Sequence, residues 1–316
     1  RGKNLTFDLT LTRAIIEVPT IKYTKIGKDI AYIRLIEFNP NSAKRITEAI
    51  EKLQEEGCTK LIFDLKNNPG GLITSSIDVA SIFLESGVVV STKGRARNTS
   101  ETYNVRRFVK KLPKDMPIVV LINEGSASAS EIVAGALKDH KRAYLVGTRS
   151  YGKGLVQSVV QLSEKELVKL TIARYYSPSG ANINKQGILP DLEVTRPSFT
   201  PDEEKSVLEL LKTSKIANFT RSKPSLSKNE MIDFSKKLEK EYNVRHELIL
   251  NLVKVEYYRS HESPVINEDD EQLQAAIELL KTKDVNALCK TTKTLFEMQE
   301  EEKAQAEEKA KTEDKK

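Results

Sequence analysis

Residues 122–154 read INEGSASASEIVAGALKDHKRAYLVGTRSYGKG, and this stretch decides the fold. It opens at the end of an apolar run, Ile118-Val119-Val120-Leu121-Ile122, which reads as a buried strand. Gly125 breaks that pattern, and Ser126, Ser128 and Ser130 then alternate with Ala127 and Ala129. Ile132, Val133, Ala136 and Leu137 follow with helical spacing. A small hydroxyl residue therefore sits where a strand becomes a helix. α/β proteins expose nucleophiles at such turns, because the first amides of the helix point at the reacting atom. A second buried strand, Ala143 to Val146, leads into Ser150-Tyr151-Gly152-Lys153-Gly154. A lysine between two glycines is suited to reach inward.

Outward from this stretch, strand and helix patterns alternate. Ile30 to Phe38 reads as a strand, and a helix with the stripe Ile46, Ile50 and Leu53 ends at Gly57. Leu61-Ile62-Phe63 is the next strand, Pro69-Gly70-Gly71 turns after it, and a helix follows from about Thr74 to Leu84. Val88 to Val90 is again a strand. This β-α-β-α-β order predicts an α/β fold with crossover helices. Lys93 to Leu112 is basic and poor in apolar residues, and reads as an exposed strand or loop. Val156 to Leu162 and Leu167 to Tyr176 read as two amphipathic strands. Beyond residue 198 the pattern is helical, with capping boxes at Thr200–Glu203 and Ser227–Glu230.

Charge divides the 316 residues unevenly: the net is +10 over residues 1–200 and −4 beyond them, +6 in all. The basic part is compatible with an anionic membrane surface or acidic substrates, and equally with dispersed surface lysines. No nucleic-acid-binding motif is present. Cys58 and Cys289 lack metal-ligand spacing, and no metal site is expected. His140 beside Asp139 does not make a Ser-His-Asp triad, because consecutive residues point in different directions. No apolar run approaches the roughly 18 residues that span a bilayer.

Four separated motifs, in order, resemble the carboxyl-terminal processing proteases, also called tail-specific proteases, which are Ser-Lys dyad serine peptidases. They are Asp64-Leu65-Lys66-Asn67-Asn68-Pro69-Gly70-Gly71, with Lys66 where the family has arginine, then Gly125-Ser126-Ala127-Ser128-Ala129-Ser130-Glu131. Tyr151-Gly152-Lys153-Gly154-Leu155-Val156-Gln157 and Gly187-Ile188-Leu189-Pro190-Asp191 complete the set. The resemblance covers roughly residues 25 to 195.

The resemblance implies Ser128 as nucleophile, Lys153 as general base 25 residues later, and Gln157 orienting the lysine amine. It implies an oxyanion hole from the amides of Gly71 and Ala129, with a side chain at Gly71 obstructing the substrate carbonyl. It also implies a supporting role for Asp139. Ser126 and Ser130 read as turn and cap hydrogen-bonders. A lysine is a base only when neutral, so Lys153 is expected in a closed, buried site that penalises its ammonium form. No cofactor is expected.

By the same resemblance the core is crotonase/Clp-protease-like. The expected layout is the last strands of a PDZ domain over residues 1–24, a Ser-Lys peptidase core over 25–197, a helical extension over 198–300, and a charged, disordered tail over 301–316. The implied substrates are proteins with unfolded apolar C-terminal tails. A homodimer through the helical extension, peripheral membrane association and export to the periplasm or cell envelope accompany this reading. Two other classes stay open at this point. One is an inactive or gated relative acting as a binding or adaptor module; the other is a crotonase-type acyl-CoA enzyme.

Overall fold

The computed structural model describes residue 10 and residues 19–95, 100–223, 225–259, 261 and 264–313. Of the expected PDZ strands over residues 1–24, all but residue 10 and residues 19–24 lie outside the described residues.

The alternating pattern becomes a mixed α/β fold. In chain order the elements are β1 (Ile21–Ile26), β2 (Ile30–Leu35), α1 (Ser42–Glu55), β3 (Lys60–Asp64), α2 (Ile73–Phe83), β4 (Val88–Gly94) and β5 (Glu101–Asn104). They continue with β6 (Ile118–Ile122), α3 (Ala129–Asp139), β7 (Tyr144–Gly147), β8 (Leu155–Gln161), β9 (Leu167–Tyr176) and β10 (Leu192–Glu193). Helices α4 (Pro201–Lys212), α5 (Lys215–Arg221), α6 (Lys228–Tyr242), α7 (His246–Tyr257), α8 (Glu271–Thr282), α9 (Val285–Thr291) and α10 (Leu295–Glu313) follow.

Six strands form one sheet in the order β1-β2-β3-β6-β7-β10. Only the β1–β2 pair is antiparallel; every other pair is parallel, as crossover helices require. Side-chain alternation splits the strands between two cores. Ala31, Ile33, Leu61, Phe63, Ile118 and Val120 face one core with residues of α1, α2 and α3. Ile30, Tyr32, Ile62, Val119 and Leu121 face the other, where Leu273, Ile277 and Leu280 of α8 and Cys289 of α9 pack. Being covered on both faces explains why Ile118–Ile122 is apolar at every position.

Two expected boundaries cut across these layers. β1 starts at Ile21, before residue 25, and belongs to the six-stranded sheet. Helices α8 and α9 lie beyond residue 198 yet form the second layer of that sheet. A third core, with Leu210, Leu238, Ile249 and Val253, holds α4 to α7 together. Both capping boxes are present: Thr200 N donates to Glu203 Oε2 (2.8 Å), and Ser227 N to Glu230 Oε2 (2.8 Å).

The tail expected to be disordered is helical through Glu313. Its first turns are docked: Leu295 is buried, its N–H donates to Asp139 Oδ1 (2.8 Å), and Gln299 Nε2 donates to Asn182 O (2.8 Å). An Arg149–Glu302 ion pair lies one turn further on. The remaining Glu, Lys, Ala and Gln residues are strong helix formers that extend an anchored start.

The second sheet, β5-β4-β9-β8, is antiparallel. Its outer hairpin, β8–β9, stands largely in solvent. The two cysteines are free and buried.

Candidate active site

Three connections converge at the ends of parallel strands. The turn after β3 carries Asn67 to Gly71, the turn after β6 carries Asn123 to Ser128, and the segment after β7 carries Ser150 to Gly154.

The first two are laced together by buried hydrogen bonds. Asn123 Oδ1 accepts from Asn67 N (2.8 Å) and Gly125 N (3.1 Å), and its Nδ2 donates to Asn67 Oδ1 (3.0 Å). Ser126 Oγ donates to Leu65 O (2.8 Å), and Ser130 Oγ to Asn68 O (2.9 Å). These two hydroxyls are thus engaged by backbone carbonyls, in the structural role read for them. Ser128 lies between them, half-buried, and initiates α3. Its φ of +56° and ψ of −112° lie where a residue with a side chain is strained, at a cost of about 1–3 kcal/mol. The surrounding lattice of bonds holds it there.

Gly70 makes that approach physically feasible. A Cβ at Gly70 would fall 2.8 Å from Ser128 Cβ and 2.9 Å from Ala129 N, and the φ of +102° also favours glycine. Gly71 is required for a different reason from the one expected. A Cβ there would sit 2.0 Å from Phe38 O, so the obstruction is the neighbouring backbone rather than a substrate. Phe38 N donates to Gly70 O (2.9 Å) and Leu72 N to Phe38 O (3.1 Å), which leaves the N–H of Gly71 outside both bonds. Neither that N–H nor the N–H of Ala129 has an acceptor among the described residues.

The residue that joins the third connection to the other two is Glu131. It is wholly buried. Its Oε1 accepts from Ser150 Oγ (2.6 Å) and Gly152 N (2.6 Å). Its Oε2 accepts from Ser128 N (2.8 Å) and Lys153 N (2.8 Å). Burial pushes this carboxyl above the usual range, against the pull of the four hydrogen bonds. Three of the four donors are backbone N–H groups aimed at both oxygens, which calls for the carboxylate form. Because Ser128 N and Lys153 N each lie 2.8 Å from one oxygen, the two backbones are at most 5.6 Å apart there. Sequence reading quoted Glu131 within its motif without giving it a role. The S-x-x-E spacing from Ser128 carries the signal, since a glutamate at the third helical position reaches back to the first amide.

The side chain of Lys153 differs from its expected state. It is exposed, with no hydrogen bond or ion pair among the described residues, because the glycine-flanked segment binds Glu131 through its backbone and leaves the side chain in solvent. Gln157, on β8, is exposed as well. The structure therefore brings the Ser128 and Lys153 backbones together without joining their side chains.

Asp139 lies at the far end of α3. Its Oδ2 accepts from Ser179 N (2.9 Å) and its Oδ1 from Leu295 N (2.8 Å), so it ties a turn and the start of α10 to α3. The helix separates it from Ser128 by roughly 16 Å of rise.

Two buried ion pairs brace the motifs. Lys66, which replaces the family's arginine, pairs with Asp270 at the start of α8 and lies 3.9 Å from Asp64. Asp64 accepts from Tyr32 OH (2.6 Å). Lys138 pairs with Asp191, whose Oδ2 accepts from Leu145 N (2.8 Å), fixing the last motif to α3 and β7. A cavity of about 680 Å³ lies between α7, residues 264–271 and the sheet near Arg34; neither Ser128 nor Lys153 lines it.

A strained serine at a helix N-terminus, two amides without acceptors among the described residues and a lysine-bearing loop on a shared carboxylate thus meet at one place. The chain belongs to peptidase family S41, whose model matches residues 29–194. It is 45% identical over 203 residues to a carboxy-terminal-processing protease of Bartonella bacilliformis, covering 62% of this chain and 45% of the relative. It is 40% identical over 200 residues to a carboxyl-terminal-processing protease of Synechocystis sp., covering 62% and 46%. The solved photosystem II D1 C-terminal processing protease superposes with a TM-score of 0.51 at 34% identity, over 57% of this chain and 49% of that one. The chain spans about half the length of these relatives.

Proposed function

We propose that this chain is a serine endopeptidase that cleaves protein substrates near apolar C-terminal tails, with Ser128 as nucleophile and Lys153 as base. The observation that carries this reading is the strained Ser128 turn sharing Glu131 with the amide of Lys153.

The reaction runs through an acyl-enzyme. Lys153, as the neutral amine, takes the proton of Ser128 Oγ while the oxygen attacks the scissile carbonyl. The amides of Gly71 and Ala129 receive the developing oxyanion. The resulting ammonium returns its proton to the leaving amine, and water then deacylates Ser128 by the same route. Bound polypeptide covers Lys153 and excludes water, which favours the neutral amine. Gln157 orients that amine once it has turned inward. Asp139 supports the site at a distance, by fixing α3.

The test is cleavage of unfolded casein, together with labelling by a small fluorophosphonate. Wild type is expected to do both, Ser128→Ala neither, and Lys153→Ala to lose cleavage. Full cleavage by Ser128→Ala would overturn the assignment.

One observation favours a second reading, a gated relative: the Lys153 side chain is exposed. A gated enzyme is labelled only when a peptide is present, and an adaptor in neither condition. The finer parts of the proposal rest on resemblance: a crotonase/Clp-like core, a PDZ remnant confined to residues before β1, and work in the periplasm or cell envelope. Exposed Leu208 and Leu211 on α4 support a homodimer through the helical extension, which light scattering tests.

A further inference from the structure

Strand β8 is the outer strand of its sheet, and it begins two residues after Lys153. Leu162 N donates to Glu166 O at the hairpin end, and Tyr175 N to Gly154 O at the other. In an antiparallel pair, alternate residues turn both backbone groups to the same side. Ser158 and Val160, in phase with Leu162, therefore bond inward to β9. Gln157, Val159 and Gln161 present their N–H and C=O groups outward, with no partner among the described residues.

Such an edge is ordinarily blunted by a charge or a proline, because it is a template for another strand. Leu155–Gln161 reads LVQSVVQ and contains neither. One face of the hairpin is apolar and open: Val160 opposes Val168, Ser158 opposes Leu170, and Val160, Leu162 and Leu170 are 39%, 64% and 49% exposed. The other face carries Gln157, Gln161, Lys169 and Thr171 beside Val159 and Leu167.

We propose that the outer edge of β8 receives the substrate polypeptide as an added strand. Gln157, Val159 and Gln161 pair with its backbone and lead it toward Ser128 and Lys153. Three alternate residues with free donors and acceptors are complementary to an extended backbone and to no compact ligand. Every second side chain of the docked segment lies on the apolar face, so the site selects unfolded chain with apolar residues at alternate positions. This inference rests on the peptidase reading above.

The test uses the full chain and a short, unstructured apolar peptide. Val159→Pro removes an outward N–H without touching the ladder to β9, a place where strands accept proline. It is expected to lower kcat/KM on the peptide about tenfold, through KM. Peptides N-methylated at alternate residues test the same bonds without altering the protein. Methylation in one register is expected to cost about tenfold, and methylation shifted by one residue to be tolerated. Unchanged kcat/KM in Val159→Pro, or equal tolerance of both registers, overturns the proposal. So does light scattering that finds a dimer dissociated by Val159→Pro, since the edge would then pair with a second copy. A wild-type chain that neither cleaves nor takes fluorophosphonate refutes the peptidase reading itself. A wild type that does both, with cleavage indifferent to the edge, refutes only the docking strand.

Discussion

Replacing Glu131 by glutamine tests whether one buried carboxylate holds the site in register. The carboxylate accepts four hydrogen bonds, from Ser128 N, Lys153 N, Gly152 N and Ser150 Oγ. A glutamine amide has one oxygen and must present an NH₂ group to two of those donors. The better orientation turns the NH₂ toward Ser150, whose hydroxyl can accept, and leaves the N–H of Gly152 unpaired. A buried donor without a partner costs about 1–3 kcal/mol. The two remaining bonds lose their charge assistance, and relief from burying a charge offsets part of this. The expected destabilisation is therefore about 1–3 kcal/mol, read from denaturant unfolding at constant slope. The catalytic effect is larger, because the Ser128 and Lys153 segments are no longer held by one group. Misplacement of about 1 Å costs roughly a hundredfold in rate. The assay is the rate of Ser128 labelling and kcat, measured where circular dichroism shows the variant folded. A folded Glu131→Gln chain with both rates within about twofold of wild type would refute this reasoning.

Other outcomes follow from the same packing. Gly70→Ala drives a methyl group to within 2.8 Å of Ser128 Cβ at a φ of +102°, and is expected to abolish labelling and cost on the order of 3 kcal/mol in unfolding experiments. Lys66→Ala leaves Asp64 buried without its cation and Asp270 with Arg196 alone (3.1 Å), and should cost about 3 kcal/mol by the same measurement. Burial pushes the Asp270 carboxyl up, but the charge and hydrogen bond of Lys66, with the charge of Arg196 and the N–H of Leu273, together hold the group below the usual range. That contribution is present above the ordinary carboxylate pKa and lost as pH falls through the lower folded value, so acid should release α8, followed by proteolysis near residue 270. Burial pushes the Cys289 thiol up to about 11, so native chain should resist alkylation at neutral pH and both cysteines should react in denaturant.

Much of this molecule is legible along the chain, and the limits have physical causes. The buried strands, the tight Pro69-Gly70-Gly71 turn and the serine at a strand-to-helix junction are local signals, and each falls where its pattern places it. Glu131 was visible by position but not by partners, because three of its four bonds reach Ser150, Gly152 and Lys153, about twenty residues on. The Lys66–Asp270 pair spans 204 positions and leaves no periodic trace. The helical stripe of Leu273, Ile277 and Leu280 announces a buried face without saying which surface buries it. The exposed Lys153 side chain could not be foreseen, since glycine neighbours permit either orientation.

The two-sided sheet also imposes an order on synthesis. Ile30, Tyr32, Ile62, Val119 and Leu121 are made well before the residues that cover them, Leu273 to Cys289. A nascent chain that has reached residue 260 holds every proposed catalytic side chain but has a bare apolar face and lacks Asp270, the nearer counter-ion of Lys66. The sheet is covered only when α8 and α9 arrive, and a chain that stops before them presents an open apolar face to quality control.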